Sequence, residues 1–253
     1  MVLSMERWVG KVAIVTGAST GIGAAIAEKL VSEGLIVVGL ARRSEKIEEL
    51  SKKLSDAKGK LYAFKTDLTK EEDIKDAFDW TTKNVGPVHI LINNAGIHLR
   101  ENLIDGNTDT WRKTLDVNVL ALCIASREAI KIMRENNING HIIHINSICG
   151  HKIINLPKMD IYTASKYAVT AITDTMRGEL ATFGTKIKVT SISPGAVDTP
   201  IFDDIRGTEA FKEHIGQTIL NPEDIADAVG YVLSTAPHVQ VHELTIKPVG
   251  EKL

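Results

Sequence analysis

Tyr162 and Lys166 stand four residues apart in a stretch, Tyr162-Thr-Ala-Ser-Lys166, that reads as helix. Residues at i and i+4 share a helical face. An ammonium held beside a phenol favours the phenolate and draws the tyrosine pKa down from its ordinary value of about 10. The phenol then becomes an acid and base usable near neutral pH. Spacing alone fits a pair of solvated helix residues equally well. Two further features bear on the pair. One is a glycine-rich turn, Gly17-Ala-Ser-Thr-Gly21-Ile-Gly23, and the other is Ser147, directly after the apolar run His141–Asn146.

The elements that would position these groups follow from the pattern. Lys11–Thr16 is a β-branched run, read as a buried strand, and Ala24–Glu33 reads as a helix stopped by Gly34. Glycines between strand and helix let the backbone turn tightly and approach a pyrophosphate, whose charge the helix N-terminus favours. The spacing here is GxxxGxG, and such turns also occur without a nucleotide. Ile36–Leu40 is the second strand, ending in Ala41-Arg42-Arg43. An NAD site usually carries an acid at this point, for the ribose 2′-hydroxyl. Two arginines suit the 2′-phosphate of NADP better, since a guanidinium bonds phosphate bidentately. The alternative is that they only solvate a strand end.

Ser44–Leu54 is an amphipathic helix, and Leu61–Lys65 a third strand, followed by Thr66-Asp67-Leu68. Thr69 with Glu72 predicts a capping box for a helix running to Asn84. Ile90–Asn93 is a fourth strand leading into Asn94-Ala95-Gly96, where asparagine side chains either fix the loop or serve as plain turn residues. Asp109–Asn136 predicts one long helix with Asn118 in its apolar middle. An asparagine there needs a partner. It either holds a water near the site or is a satisfied core amide. His141–Asn146 is the fifth strand. Ligands of open parallel sheets bind beyond the carboxyl ends of the strands, so Ser147 is placed to bond a substrate oxygen. Ile148–Asp160 is an irregular loop, the Tyr162 helix runs to about Phe183, and Lys188–Ser193 is the sixth strand, closing in Pro194-Gly195. A helix from Pro222 through Leu233 and a strand Val241–Ile246 complete the chain. Strand and helix alternate throughout, which predicts a single doubly wound α/β domain over residues 1–253.

Composition agrees. The 253 residues are 43% hydrophobic and 25% charged, with net charge −2. That suits a globular protein with a large core and gives no electrostatic case for nucleic acid or an anionic membrane. No apolar stretch reaches the ~20 residues of a membrane span. The start, MVLSMERW, lacks the apolar run of a signal peptide. Cys123 and Cys149 have no metal-type spacing, so no metal is expected and reduced thiols in the cytoplasm are the expectation.

The motifs Thr16–Gly23 (TGASTGIG), Asn93–Gly96 (NNAG), Asn118, Ser147, Tyr162-x-x-x-Lys166 and Pro194-Gly195 with Thr199, in this order, resemble the short-chain dehydrogenase/reductase family over nearly the whole chain. The resemblance implies a Rossmann-type three-layer fold, with a seven-stranded parallel sheet and helices on both faces. It implies a homodimer or homotetramer and a nicotinamide cofactor, NADP(H) by the arginines. Tyr162 becomes the general acid/base, Lys166 its pKa-lowering partner, Ser147 the group that positions the substrate oxygen, and Asn118 the support of a water relay. Cofactor contacts carried over in this way are Gly17, Ser19, Thr20, Gly21, Ile22, Gly23, Arg42, Arg43, Asp67, Leu68, Asn94, Ala95, Gly96, Tyr162, Lys166, Pro194, Gly195, Val197 and Thr199. Thr20 departs from the pattern, since many NADP-preferring members carry a basic residue there. The stretches DVNVLAL and GHIIHINSICGH are similar to a branch acting on prenyl alcohols such as farnesol, or reducing ketosteroids and dicarbonyls. Ile148, Ile153, Ile154, Leu156, Met159, Phe202, Ile205 and Phe211 would line an apolar pocket for an alcohol or carbonyl substrate, or else join the core. His98 and His151 are candidates to face the pocket, with no role assigned to either. A non-catalytic NADP-binding sensor is the rival reading, and the presence of both Tyr162 and Lys166 weighs against it.

Overall fold

Residues 3–154, 158–159, 161–209 and 218–251 are described in a computed structural model. Leu156, Pro157, Asp160 and Phe211 lie outside them. The strands are β1 (Val12–Thr16), β2 (Ile36–Ala41), β3 (Lys60–Lys65), β4 (Val88–Asn93), β5 (His141–Ile145), β6 (Lys188–Pro194) and β7 (Glu243–Ile246). All pairs are parallel and the order is β3-β2-β1-β4-β5-β6-β7. Every residue of β1 and β5 is buried. Strands covered on both faces read as continuous apolar runs, which is why the sequence pattern found them.

The helices are α1 (Gly21–Ser32), α2 (Ser44–Lys53), α3 (Glu71–Asn84), α4 (Thr108–Leu115), α5 (Ala121–Glu135), α6 (Tyr162–Thr182) and α7 (Pro222–Ser234). Side chains alternate across the sheet, so Ala13 and Val15 join Ile26, Leu30 and Ile47 in one core with Val229 of α7. Ile14 joins Phe78, Ala129 and Leu180 in the other. The sheet is therefore sandwiched between α1, α2 and α7 on one face and α3, α5 and α6 on the other. The chain leaves β1 in one direction for β2 and β3, and returns past it to β4. That reversal opens a crevice at the carboxyl ends of β1 and β4.

Three local expectations need correction. α1 begins at Gly21, after an extended Thr20, so the later glycines are its first turn. No capping box forms at Thr69. Its N–H and hydroxyl both donate to Asp67 Oδ1 (3.1 and 2.8 Å), a nearer carboxylate, and Glu72 instead accepts from Lys75. The long helix is interrupted, because Asp116–Leu120 is a π-turn between α4 and α5. π-turns insert an extra residue into a helix and recur at functional sites.

Candidate active site

The carboxyl ends of β1, β2, β4, β5 and β6 open into one cleft of about 620 Å³. The glycine turn forms its floor. Gly17 and Gly21 have φ of 69° and 55°, a region that favours glycine. A Cβ at Gly17 would lie 3.0 Å from Ala95 Cα, and one at Gly21 3.0 Å from Thr199 Cγ2. A side chain at either position would be both strained by the backbone and crowded by its neighbours. Gly23 does not line the cleft. A Cβ there would come within 2.4 Å of Gly17 O and Asn94 Nδ2, so its role is the close approach of α1 to the turn. Asn94 fixes the neighbouring loop, while the Asn93 amide donates to Ser126 Oγ (2.9 Å) on α5. Asn94 Nδ2 donates to Thr16 O (2.9 Å), and the N–H groups of Asn94 and Ala95 both donate to Thr16 Oγ1 (3.0 Å each).

Arg42 and Arg43, both exposed, follow β2 at one end of the cleft, with Asp67 and Leu68 beyond β3. Burial would raise the Asp67 carboxyl pKa, but hydrogen bonds from Thr69 and the charges of Arg42 and Lys70 hold it below the usual value. Ser19, Thr20, Ile22, Gly96, Pro194, Gly195 and Val197 also line the cleft. An anionic dinucleotide fits this end: a helix N-terminus, a glycine cradle and two guanidinium groups.

Deeper in, Tyr162, Lys166 and Ser147 line the same cleft. Tyr162 opens α6, and Lys166, one turn on, is only 6% exposed. Lys166 Nζ donates to Ile145 O (3.0 Å) and stands 5.8 Å from the Tyr162 ring centre. Burial pushes its pKa down to about 8. Ser147 lies at the carboxyl end of β5, and its Oγ accepts from the Cys149 N–H (3.1 Å). Its own hydroxyl hydrogen can then be directed into the cleft. Asn118 does not line the cleft and is a satisfied amide. Oδ1 accepts from Ile97 N (2.8 Å), and Nδ2 donates to Ile97 O (2.9 Å) and Ser165 Oγ (3.0 Å). The π-turn aims this side chain at the loop after β4, which it holds against α6.

That loop carries residues the sequence did not mark for a role. Ile97, His98, Leu99 and Arg100 all line the cleft. His98 stacks on Tyr162, with ring centres 4.6 Å apart. Arg100 reaches across to the segment after β6, with Nε 2.7 Å from Asp204 Oδ2 and a terminal nitrogen donating to Ile201 O (2.8 Å). Of the expected apolar lining, Ile148, Ile154, Met159, Phe202 and Ile205 face the cleft, while Ile153 is 81% exposed and does not. His151 lies elsewhere, its Nε2 2.8 Å from Ser193 Oγ. Glu251 was also unforeseen. Its buried carboxylate accepts from Ala196 N (2.8 Å), pairs with Lys247 (3.0 Å) and fills the space beside Gly195. Proximity to Gly96 is the signal that could have drawn attention to His98 and Arg100. Glu251 offers none.

A parallel sheet with a glycine cradle and a Tyr/Lys pair at its switch point invites comparison with known proteins, and residues 11–210 match the short chain dehydrogenase family. The chain belongs to the short-chain dehydrogenase/reductase family. It is an oxidoreductase of that family. Farnesol dehydrogenase of Aedes aegypti is 52% identical over 252 residues, covering 98% of this chain and 100% of that one. Dehydrogenase/reductase SDR family member 11 of Mus musculus is 46% identical over 255 residues, covering 98% and 97%. A short chain dehydrogenase from Burkholderia cenocepacia, solved in complex with NADP, superposes with a TM-score of 0.85 at 29% identity over 95% of this chain and 98% of that one. Among the described residues, no helix of this family member is long and apolar enough to cross a membrane.

Proposed function

We propose that residues 1–253 act as one NADP(H)-dependent catalytic domain that interconverts an apolar alcohol, foremost a prenyl alcohol such as farnesol, and its carbonyl. The observation that carries this reading is the meeting of Tyr162, Lys166 and Ser147 in a cleft whose far end is apolar. The similarity to a farnesol dehydrogenase supports the substrate. Arg42 and Arg43 support NADP over NAD, as phosphate partners at the end where the ribose would lie.

A bound nicotinamide supplies or accepts the hydride. The chain's own residues handle the oxygen and its proton. Ser147 donates a hydrogen bond to the substrate oxygen and holds it beside Tyr162. In oxidation the Tyr162 phenolate takes the hydroxyl proton, and in reduction the Tyr162 phenol returns it to the forming alkoxide. Lys166 stabilises the phenolate through its charge. Ile154, Met159, Phe202 and Ile205 exclude water and bind the hydrocarbon chain. Arg100 is neutralised by Asp204, so this end favours an uncharged substrate.

The test is a panel of farnesol, shorter alcohols and a diketone, run with NADP and NAD in parallel on the wild type and Tyr162→Phe. Farnesol turnover that prefers NADP is expected, with the variant slowed about 10²- to 10⁴-fold while still binding NADPH. Near-normal turnover by Tyr162→Phe refutes the proton assignment. Activity on the diketone alone makes the protein a carbonyl reductase. NADPH binding without turnover of any compound makes it a sensor.

A further inference from the structure

The chemistry proposed above leaves His98 without a task, although it touches the central residue of the site. Its ring lies against that of Tyr162, with centres 4.6 Å apart and planes 23° from parallel. Nε2 is 2.8 Å from the carbonyl oxygen of Lys158. A carbonyl oxygen only accepts, so Nε2 carries hydrogen in both the neutral and the charged ring. The imidazole is therefore anchored twice. Its backbone belongs to the loop after β4, and its Nε2–H is bound to the segment that leads into α6.

Tyr162 needs such support. It is the first residue of α6, and Ile161 before it provides no side-chain cap. Helix ends lack the full set of backbone bonds and fray first. Lys166 lies over the ring at 5.8 Å from its centre, near the outer limit of a cation–π contact, and donates to Ile145 O. His98 covers a face. Near-parallel aromatic pairs at this separation attract one another beyond their buried area. The loop that bears His98 also supplies Ile97 and Leu99 to the cleft wall, and Asn118 holds it at Ile97.

We infer that His98 is a positioning residue. Its ring keeps the Tyr162 phenol in the orientation from which the hydroxyl exchanges a proton, and it ties that orientation to the loop forming the apolar wall. The inference rests on the proton role proposed for Tyr162. Loss of orientation acts on the chemical step more than on cofactor binding. A flat ring at position 98 is the essential feature, so phenylalanine replaces histidine and an aliphatic side chain does not.

The experiment compares His98→Phe, His98→Leu and His98→Met with the wild type and Tyr162→Phe. It measures kcat and KM for the best alcohol of the panel, Kd for NADPH by fluorescence, and Tm. Leucine and methionine are expected to lower kcat on the order of 3- to 10-fold, the range an aromatic pair is worth. NADPH Kd and Tm stay near wild type, and phenylalanine restores most of kcat. Wild-type kcat in the leucine and methionine variants overturns the inference. So does a phenylalanine variant as slow as leucine, or an effect confined to KM. If Tyr162→Phe is inactive while all three His98 variants turn over normally, only the role of His98 fails. If Tyr162→Phe is active, the proton assignment itself fails.

Discussion

Lys166 holds an ammonium below the protein surface with one backbone acceptor, and burial brings its pKa to about 8. Its charge is therefore lost within the working pH range of many enzymes. As pH rises through about 8 the amine becomes neutral and, on the mechanism proposed above, stops favouring the Tyr162 phenolate. The kcat/KM of the free enzyme for NADPH-driven carbonyl reduction is expected to fall along that alkaline limb. In Lys166→Met the limb flattens and the whole profile drops. A wild-type profile level to pH 10 would remove Lys166 from this role. Stability moves the opposite way. Between about 8 and the ordinary lysine value of 10.5 the unfolded chain binds a proton that the folded chain has released, so stability rises with pH in that window.

At the scale of elements, the π-turn at Asp116–Leu120 decides where Asn118 points, and Asn118 fastens the loop after β4 to α6. Replacing it with leucine leaves the Ile97 N–H and C=O without partners. The cost should be about 1–3 kcal/mol, read from urea unfolding, and KM for the alcohol should rise as the apolar wall loosens. Unchanged stability and KM would show that the loop holds itself. The central strands were legible because a run buried on both faces, as in β1 and β5, leaves no polar alternation to confuse the pattern. The glycine turn was legible because few other residues adopt its φ. The π-turn was not, since a stretch of ordinary helix formers carries no mark of one extra residue beyond the misfit asparagine. Thr69 and Glu72 had the spacing of a capping box but not the geometry, because Asp67 offers Thr69 a nearer acceptor. In the site, residues tied to backbone needs or to charge could be read in order along the chain. Arg100 and Glu251 could not, and for His98 only its place beside the pocket was legible, since their contacts are with neighbours distant in sequence.

Across the whole molecule, β5 carries two buried histidines in the middle of the sheet. His144 Nδ1 meets Thr173 Oγ1 at 2.8 Å, and His141 Nε2 meets Thr190 Oγ1 at 2.9 Å. Burial, helped by nearby cations, pushes both pKa values down to about 3 from 6.5. Below about 6.5 the unfolded chain binds protons that the folded chain refuses, so acid destabilises the fold. The slope should be roughly 1.4 kcal/mol per pH unit for each histidine until the pH nears 3. Urea midpoints taken between pH 7 and 4 should fall accordingly, and a flat series would mean that neither ring stays neutral. The cleft has its own long-range dependence, at the wall where Glu251 meets the turn after β6. A Cβ on Gly195 would sit 2.5 Å from the Glu251 carboxylate, so the carboxylate would have to shift to admit one. Alanine at 195 would therefore draw that carboxylate away from the Ala196 N–H it accepts from. The tolerance of position 195 is thereby set from position 251, far along the chain, and randomising both at once should recover combinations that neither alone permits.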